Sequence, residues 1–123
     1  MKPLDEMTNE EINGLEPGPE VDWLVAQHMP ADNEEGYAPV FDFEAHGEPM
    51  LMTVYKMALG RPCGDFCPSG DANAAVAVLK ILGDVRIEHY ACNSQWCVIH
   101  FGDAWDKSFC MAVCKAFLRE RRR

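Results

Sequence analysis

The stretch PSGDANAAVAVLKILGDVRIEHYACNSQWCVIHF, residues 68–101, decides the fold, because it contains a helix start, a helix stop and two strands in succession. Apolar residues recur at helical spacing through 72–82, where Ser69 or Asp71 is suited to cap the first turn and Gly83 to end the helix. Two segments with strand-like alternation then flank a short polar turn, which is the pattern of an antiparallel hairpin. The stretch therefore predicts a helix followed by a β-hairpin.

Upstream of this stretch the sequence predicts two further helices. Thr8 and Glu11 have the spacing of a capping box, and the run Pro17-Gly18-Pro19 ends the short helix that follows them. Residues 19–28 then carry apolar side chains at helical spacing, with a proline in the first turn.

Short apolar runs and turn-forming residues give the expectations for the middle of the chain. Residues 31–48 mix Gly, Pro and acids with a brief strand-like alternation, and the apolar run at 50–59 predicts a strand. The density of Gly and Pro predicts loops at 60–68, and residues 102–106 are also expected to form a loop.

The C-terminal region predicts a last amphipathic helix over residues 107–119, followed by a basic, solvated tail, residues 119–123. Together the elements predict an α+β fold, in which a small antiparallel sheet carries helices on its faces as an α-β-α sandwich. A chain of 123 residues is long enough for one domain with a stable core, so residues 1–123 are expected to form a single domain.

The charge is divided unevenly along the chain. Up to Glu48 there are thirteen acids and one lysine, a net charge of −12, whereas the remainder has seven acids and ten basic residues, a net charge of +3. Such a distribution disfavours direct nucleic-acid binding and favours a basic protein partner. The alternative interpretation is a solvated face that keeps the protein soluble.

No apolar run approaches the roughly 18 residues that a membrane-spanning helix needs, and the acidic N-terminus lacks the apolar core of a signal peptide. We therefore expect a cytoplasmic protein with no membrane partner. The sequence is compatible with either a monomer or a homodimer.

Four segments carry a family resemblance: GLEPGPEVDWLVAQHM (14–29), PSGDANAAVAVLKIL (68–82), QWCVIHF (95–101) and MAVCKAFL (111–118). In the same order, they are similar to the Gly-x-Glu-Leu-Asp-x-Leu-Val-Ala opening, the Tyr-Ser-Thr-Asp helix start, the Trp-x-Val strand and the Ala-x-Cys-x-Ala-x-Leu end of the phage ABA sandwich domain family. These are small bacteriophage proteins.

The resemblance implies a phage or prophage origin, a three-layer helix-sheet-helix sandwich and no catalytic residue set. The chain departs from the family pattern at Pro68 and Gly70, where the family has Tyr and Thr. Residues 31–67 also differ from the usual middle segment and resemble an insertion.

The candidate metal ligands are the six cysteines and two of the histidines. The six cysteines form three close pairs, whose spacing argues against a zinc site: Cys63 and Cys67, Cys92 and Cys97, Cys110 and Cys114. His89 and His100 lie on the two hairpin strands, where they would form a ligand pair only if they faced each other across the ladder. We expect no metal, no cofactor and no catalytic residue, with Cys114 packed as a small apolar side chain.

Two sets of residues are candidates for protein binding. Trp105 is expected to be an exposed aromatic anchor, a residue type enriched at the centres of interfaces, while Asp103 and Asp106 beside it are expected to serve as turn and cap residues. The second set consists of acids in the atypical segment: Asp32, Glu34, Glu35, Asp42, Glu44 and Glu48.

The leading functional hypothesis is a phage-encoded, non-enzymatic inhibitor that binds a basic surface on a host defence protein, as anti-CRISPR and anti-restriction proteins do. One alternative is a sponge that sequesters a small, nucleotide-like signal in a pocket. Another is a small metal-binding accessory protein that uses the cysteines or histidines.

Overall fold

The computed structural model describes residues 3–29, 39–42, 53–58, 61–65, 67–100 and 102–122. The helices are a 3₁₀ helix at Leu4–Glu6, then α1 (Asn9–Asn13), α2 (Pro19–His28), α3 (Ala72–Leu82) and α4 (Phe109–Arg122). The strands are β1 (Pro39–Asp42), β2 (Thr53–Ala58), β3 (Arg61–Asp65), β4 (Arg86–Tyr90), β5 (Gln95–Ile99) and β6 (Asp103–Asp106).

The strands form two three-stranded antiparallel sheets, in the orders β1-β2-β3 and β4-β5-β6. The expected α+β class and the antiparallel pairing are therefore confirmed. The first sheet lies wholly within the atypical segment 31–67, and the strand predicted at 50–59 is confirmed over Thr53–Ala58. None of the described helices is both long and apolar enough to cross a membrane.

Helix α4 is the centre of the core. Every residue from Cys110 to Leu118 is buried, because α1, α2, α3 and the strands β5 and β6 all pack around this helix. Val78 of α3, Val98 of β5 and Val25 of α2 belong to the same cluster and are fully buried. The sequence predicted one buried face for this helix, and the structure buries it on all sides over these residues.

The helix caps and the helix stop that were predicted from short-range sequence patterns are present. The capping box of α1 is complete, since the Glu11 amide donates to Thr8 Oγ1 at 3.1 Å and the Thr8 amide donates to Glu11 Oε1 at 3.3 Å. Asp71 caps α3 by accepting from the Asn73 amide at 3.1 Å, and Gly83 ends this helix with a φ of +83°.

Ser69, the other candidate cap of α3, instead joins the start of this helix to α2. Its amide donates to Asp22 Oδ1 at 2.8 Å, and its hydroxyl accepts from the Gly18 amide at 3.1 Å. Asp22 and Ser69 are both buried. The two helix starts are therefore joined by one buried and one partly buried hydrogen bond, between residues that are 47 and 51 positions apart in sequence.

The predicted hairpin is confirmed as β4 and β5, with Ile87 opposite Val98 and His89 opposite Trp96. This register shows that His89 and His100 do not face each other, so the ligand-pair interpretation of these histidines is wrong. His100 lies beyond the end of β5, where Nδ1 is 3.0 Å from the Asp84 carbonyl.

Both loop predictions are wrong in part. Residues 61–65 form β3, an edge strand whose pairing with β2 shifts register between Lys56 and Met57, and an edge position tolerates a proline. Residues 103–106 form β6, which pairs with β5 along its length.

The prediction of a solvated tail from residue 119 is also wrong, since α4 continues to Arg122. Arg119 donates to the Asp103 carbonyl, and Arg122 donates to the Met7 carbonyl at 2.7 Å and to Asn9 Oδ1. These contacts hold the last turn of the helix against the start of β6 and the N-terminal region.

Candidate functional site

The structure describes only part of the predicted binding set. Trp105 lies on β6 and not in a loop, and its expected exposure is confirmed. Asp42 is the last residue of β1, where only the backbone is described. The other five acids lie outside the described residues: Asp32, Glu34, Glu35, Glu44 and Glu48.

Trp105 belongs to the face of the β4-β5-β6 sheet that points away from α4. Side chains alternate between the two faces of a strand, so Val98 and Ala104 point into the core while their neighbours point outward. We call the outward side the open face, and its central residues are Arg86, Glu88, Tyr90, Cys97 and Trp105.

An aromatic pair dominates the open face. The rings of Tyr90 and Trp105 lie 5.2 Å apart between centroids, tilted by 36°, although they come from the two edge strands. Trp105 is 43% exposed and Tyr90 is 37% exposed. Each ring restricts the other, so the pair presents a pre-arranged aromatic surface to solvent.

A polar row runs beside the aromatic pair along β4. Arg86 Nε lies 3.0 Å from Glu88 Oε1, and the Tyr90 hydroxyl donates to Glu88 Oε2. The hydrogen bond to Glu88 raises the pKa of Tyr90 above its usual 10.0. Tyr90 is therefore a neutral donor at physiological pH.

Cys97 lies beneath this layer, directly opposite Glu88 on one side and Trp105 on the other. It is 1% exposed, and burial, together with the charges of Asp103 and Glu88, raises the pKa of its thiol. The thiolate is the nucleophilic form of cysteine, so this residue supports the open face as packing and is poorly suited to act as a nucleophile.

The opposite side of the same sheet fixes it to α4. Trp96 packs edge-on against Phe109 with 5.3 Å between ring centroids, and the His89 ring lies 4.4 Å from the Trp96 ring. Asp106 accepts from the Ser108 amide at 2.8 Å, and Ser108 Oγ accepts from the Met111 amide at 3.3 Å. The predicted turn role of Asp106 is confirmed, and Ser108 is the cap of α4. The turn or cap role predicted for Asp103 is wrong, because Asp103 lies on β6 opposite Ile99.

The cysteine side chains that the structure describes do not converge on a metal site, and the side chain of Cys63 lies outside that set. Cys92 is exposed in the β4–β5 turn, whereas Cys110 and Cys114 are buried in α4, where burial raises the pKa of both thiols. Within the described ranges, no three His, Cys, Asp or Glu side chains are arranged to hold a metal ion. Cys114 packs in the core, as predicted.

The sequence indicates Trp105 but not its partners on the open face. Tyr90 and Glu88 become neighbours of Trp105 only through the register of three strands, and β6 was expected to be a loop. An interpretation of residues 103–106 as a third strand would have placed Trp105 beside Cys97 and one strand away from Tyr90.

Comparison of the chain with protein-family models, with curated proteins and with solved structures gave no match.

Proposed function

We propose that this protein is a non-enzymatic binding module that holds a basic protein surface by stoichiometric contact, with Trp105 and Tyr90 on the open face as its anchors. The observation that carries this proposal is the paired, restrained and solvent-exposed arrangement of the two rings.

The aromatic pair supports binding because exposed aromatic side chains on a rigid element are well suited to be hot spots. Only the exposed part of each ring, 43% of Trp105 and 37% of Tyr90, can be newly buried by a partner. Of the roughly 150–250 Å² that an aromatic residue buries in full this leaves about 60–110 Å² per ring, which at about 25 cal/mol per Å² gives about 2 kcal/mol per ring, the size of a hot-spot contribution. The two rings in contact also have less conformational freedom to lose on binding.

Charge supports a basic partner. The chain has a net charge of −9, and on the open face the charge of Arg86 is paired with Glu88 while Asp103 is exposed beside Trp105. The proposal extends to the acids predicted from sequence, which would raise the association rate by attracting a positive surface: Asp32, Glu34, Glu35, Asp42, Glu44 and Glu48.

The biological setting is proposed from the resemblance to the phage ABA sandwich domain family together with this charge. Defence proteins that bind nucleic acids carry basic grooves, because phosphate contacts dominate their affinity. A phage protein with an acidic surface would compete for such a groove in the cytoplasm of the infected bacterium. We therefore propose an inhibitor of the anti-CRISPR or anti-restriction type.

Plating efficiency tests this function directly. The full chain is expressed in bacterial strains with an active restriction system or an active CRISPR system, and an otherwise blocked phage is plated on each. We expect plating to recover in one of the two systems, and we expect Trp105→Ala to lose the recovery.

The matched control is Val76→Ser, which removes another exposed apolar side chain, 40% exposed on α3 and away from the open face. It should protect the phage as the unmodified chain does. No recovery in either system would refute the host-defence proposal, and full recovery with Trp105→Ala would refute the role of the open face.

A further inference from the structure

A second site lies on the helix-covered side of the β4-β5-β6 sheet, between the last turns of α4 and the β5–β6 connection. It is a cleft of ≈ 280 Å³. At roughly 30 Å³ per water molecule this volume admits a phosphate-sized group. The lining residues that matter for its chemistry are Asn9, His100, Gly102, Arg119, Glu120 and Arg122.

Both arginines of the cleft are held in place by neutral oxygen atoms. Arg119 donates through Nη1 to the Asp103 carbonyl, and Arg122 donates through Nη1 to the Met7 carbonyl at 2.7 Å and through Nη2 to Asn9 Oδ1. Among the described residues, no carboxylate forms an ion pair with either guanidinium. These contacts fix the positions of two positive charges without neutralising them.

Gly102 lies next to the Arg119 guanidinium. A Cβ atom at this position would lie 3.4 Å from Arg119 Nη2, at van der Waals contact. The guanidinium therefore lies close to the backbone of the β5–β6 connection. The Nε and Nη2 groups of Arg119 are not used in its bond to Asp103.

The charge balance of the cleft is positive. Glu120 contributes one negative charge, and its Oε2 lies 3.6 Å from His100 Nε2. The C-terminus of α4 adds about half a negative charge. The two positive charges of the fixed guanidinium groups exceed these negative charges, although the net charge of the chain is −9.

We propose that this cleft binds a phosphate-type dianion, with Arg119 and Arg122 as the charged donors and Asn9 and His100 at its edges. Planar guanidinium groups match phosphate oxygens as paired donors. Arg119 has such a pair in Nε and Nη2, whereas both Nη atoms of Arg122 already donate to Met7 and Asn9, so Arg122 acts mainly through its charge. A dianion gains from both arginines at once, so it should bind better than a carboxylate. The source is either free phosphate or the phosphate group of a nucleotide.

An NMR titration tests the site. Inorganic phosphate is added to the ¹⁵N-labelled full chain at constant ionic strength and neutral pH, and the arginine Nε–Hε signals are followed. The Arg119 and Arg122 signals should shift saturably with phosphate and stay unchanged with acetate. Adenosine 5′-monophosphate is the second probe: tighter binding than phosphate assigns the site to nucleotides, and equal binding assigns it to the phosphate group alone.

Variants separate the site from general charge effects. Arg119→Gln should weaken phosphate binding about tenfold or more, the usual effect of losing one charge-assisted hydrogen bond. Arg121→Gln is the matched control, because Arg121 lies over the Phe117 ring, outside the cleft, with 5.2 Å between Cζ and the ring centroid. It removes the same charge and should bind phosphate like the unmodified chain.

Arg119→Lys covers the case in which Arg119→Gln fails to fold, since it keeps the charge and loses the paired donors, and it should also weaken binding. Three results would overturn the site: no saturable shift with either probe, equal weakening by Arg121→Gln, or acetate binding as well as phosphate.

Discussion

Lys115 is a charged residue whose burial was not predicted from the sequence. It lies in the middle of the buried run of α4, with a side chain only 6% exposed, and its Nζ donates to Asp106 Oδ2 and to the Asn13 carbonyl, both at 2.7 Å. A buried charge is tolerated only when it is paired and hydrogen-bonded. The pair therefore joins α4 to β6 and to the end of α1.

Removing the carboxylate should destabilise the protein more than removing the lysine. Asp106→Ala leaves the Lys115 charge buried without its partner and should cost about 3 kcal/mol of unfolding free energy. Lys115→Met fills a similar volume with apolar atoms and leaves Asp106, 22% exposed, bonded to the Ser108 amide. Urea denaturation of both variants measures the order, and an equal or reversed order would show that the ion pair is not the dominant contact.

Asp22 makes the stability depend on pH. Burial raises the pKa of this carboxyl above its usual 3.8, although the Ser69 hydrogen bonds oppose the shift. A folded-state pKa above the unfolded one stabilises the fold fully below pH 3.8, and the contribution is lost as pH rises through the folded value. At neutral pH the Asp22 charge is therefore a net cost.

Asp22→Asn tests this sign. The amide oxygen still accepts from the Ser69 amide but carries no charge, so the variant should be more stable than the unmodified chain at pH 7. The advantage should shrink below pH 3.8, where Asp22 is protonated. Urea denaturation at the two pH values measures the difference, and a variant less stable at pH 7 would show that the carboxylate stabilises the fold.

Among the helices and strands, the features that depend on residues close in sequence were predicted correctly. The capping box of α1, the Asp71 cap and the Gly83 stop of α3, and the β4–β5 hairpin all form as expected, because each is decided by residues close in sequence. Strands β3 and β6 were missed because each is short and stabilised by pairing with a neighbouring strand. Tertiary contacts of this kind override the intrinsic secondary-structure propensity of a short segment.

The two faces of the β4-β5-β6 sheet should respond differently to loss of a tryptophan. Trp96→Ala removes the contact with Phe109 and with the core and should cost about 3 kcal/mol. Trp105→Ala removes an exposed ring and its contact with Tyr90 and should cost about 1 kcal/mol. Urea denaturation of both variants gives these values, and equal losses would contradict the assignment of the two faces.

Thiol labelling reports on the same difference. In the unmodified chain iodoacetamide should react with the exposed Cys92 far faster than with Cys97 or Cys114. Trp105→Ala uncovers Cys97 and should raise its rate of labelling, while Cys114 stays protected in the core. Site-resolved mass spectrometry measures both rates, and an unchanged Cys97 rate would show that Trp105 does not cover this thiol.

For the whole molecule, the sequence indicated an acidic binding protein with an exposed Trp105, but the composition of the site depended on the fold. The ring centroids of Tyr90 and Trp105 lie 5.2 Å apart only because both strands pair with β5, which lies between them. The arginine cleft was missed for a similar reason, since Asn9 and Arg122 are 113 positions apart and the last turn of α4 was expected to be a tail. Charge, by contrast, is visible in the sequence itself.

The negative charge of the acidic segment should affect the rate of binding to the proposed basic partner. Replacing the six acids Asp32, Glu34, Glu35, Asp42, Glu44 and Glu48 by Gln should slow association and reduce its dependence on salt, because exposed charges act mainly on the encounter rate. Stopped-flow association at several salt concentrations measures both effects. Unchanged binding at moderate salt would refute the electrostatic part of the proposal.

The most direct test of the open face is a measurement of binding affinity. The partner is captured from the protected host strain and purified. Isothermal titration calorimetry then gives its affinity for the unmodified chain, for Trp105→Ala and for Val76→Ser. A hot-spot tryptophan contributes about 2 kcal/mol or more, so Trp105→Ala should weaken binding by about 30-fold, while Val76→Ser binds like the unmodified chain. Equal affinities of all three proteins would contradict the proposal that this protein binds its partner through Trp105 and the open face.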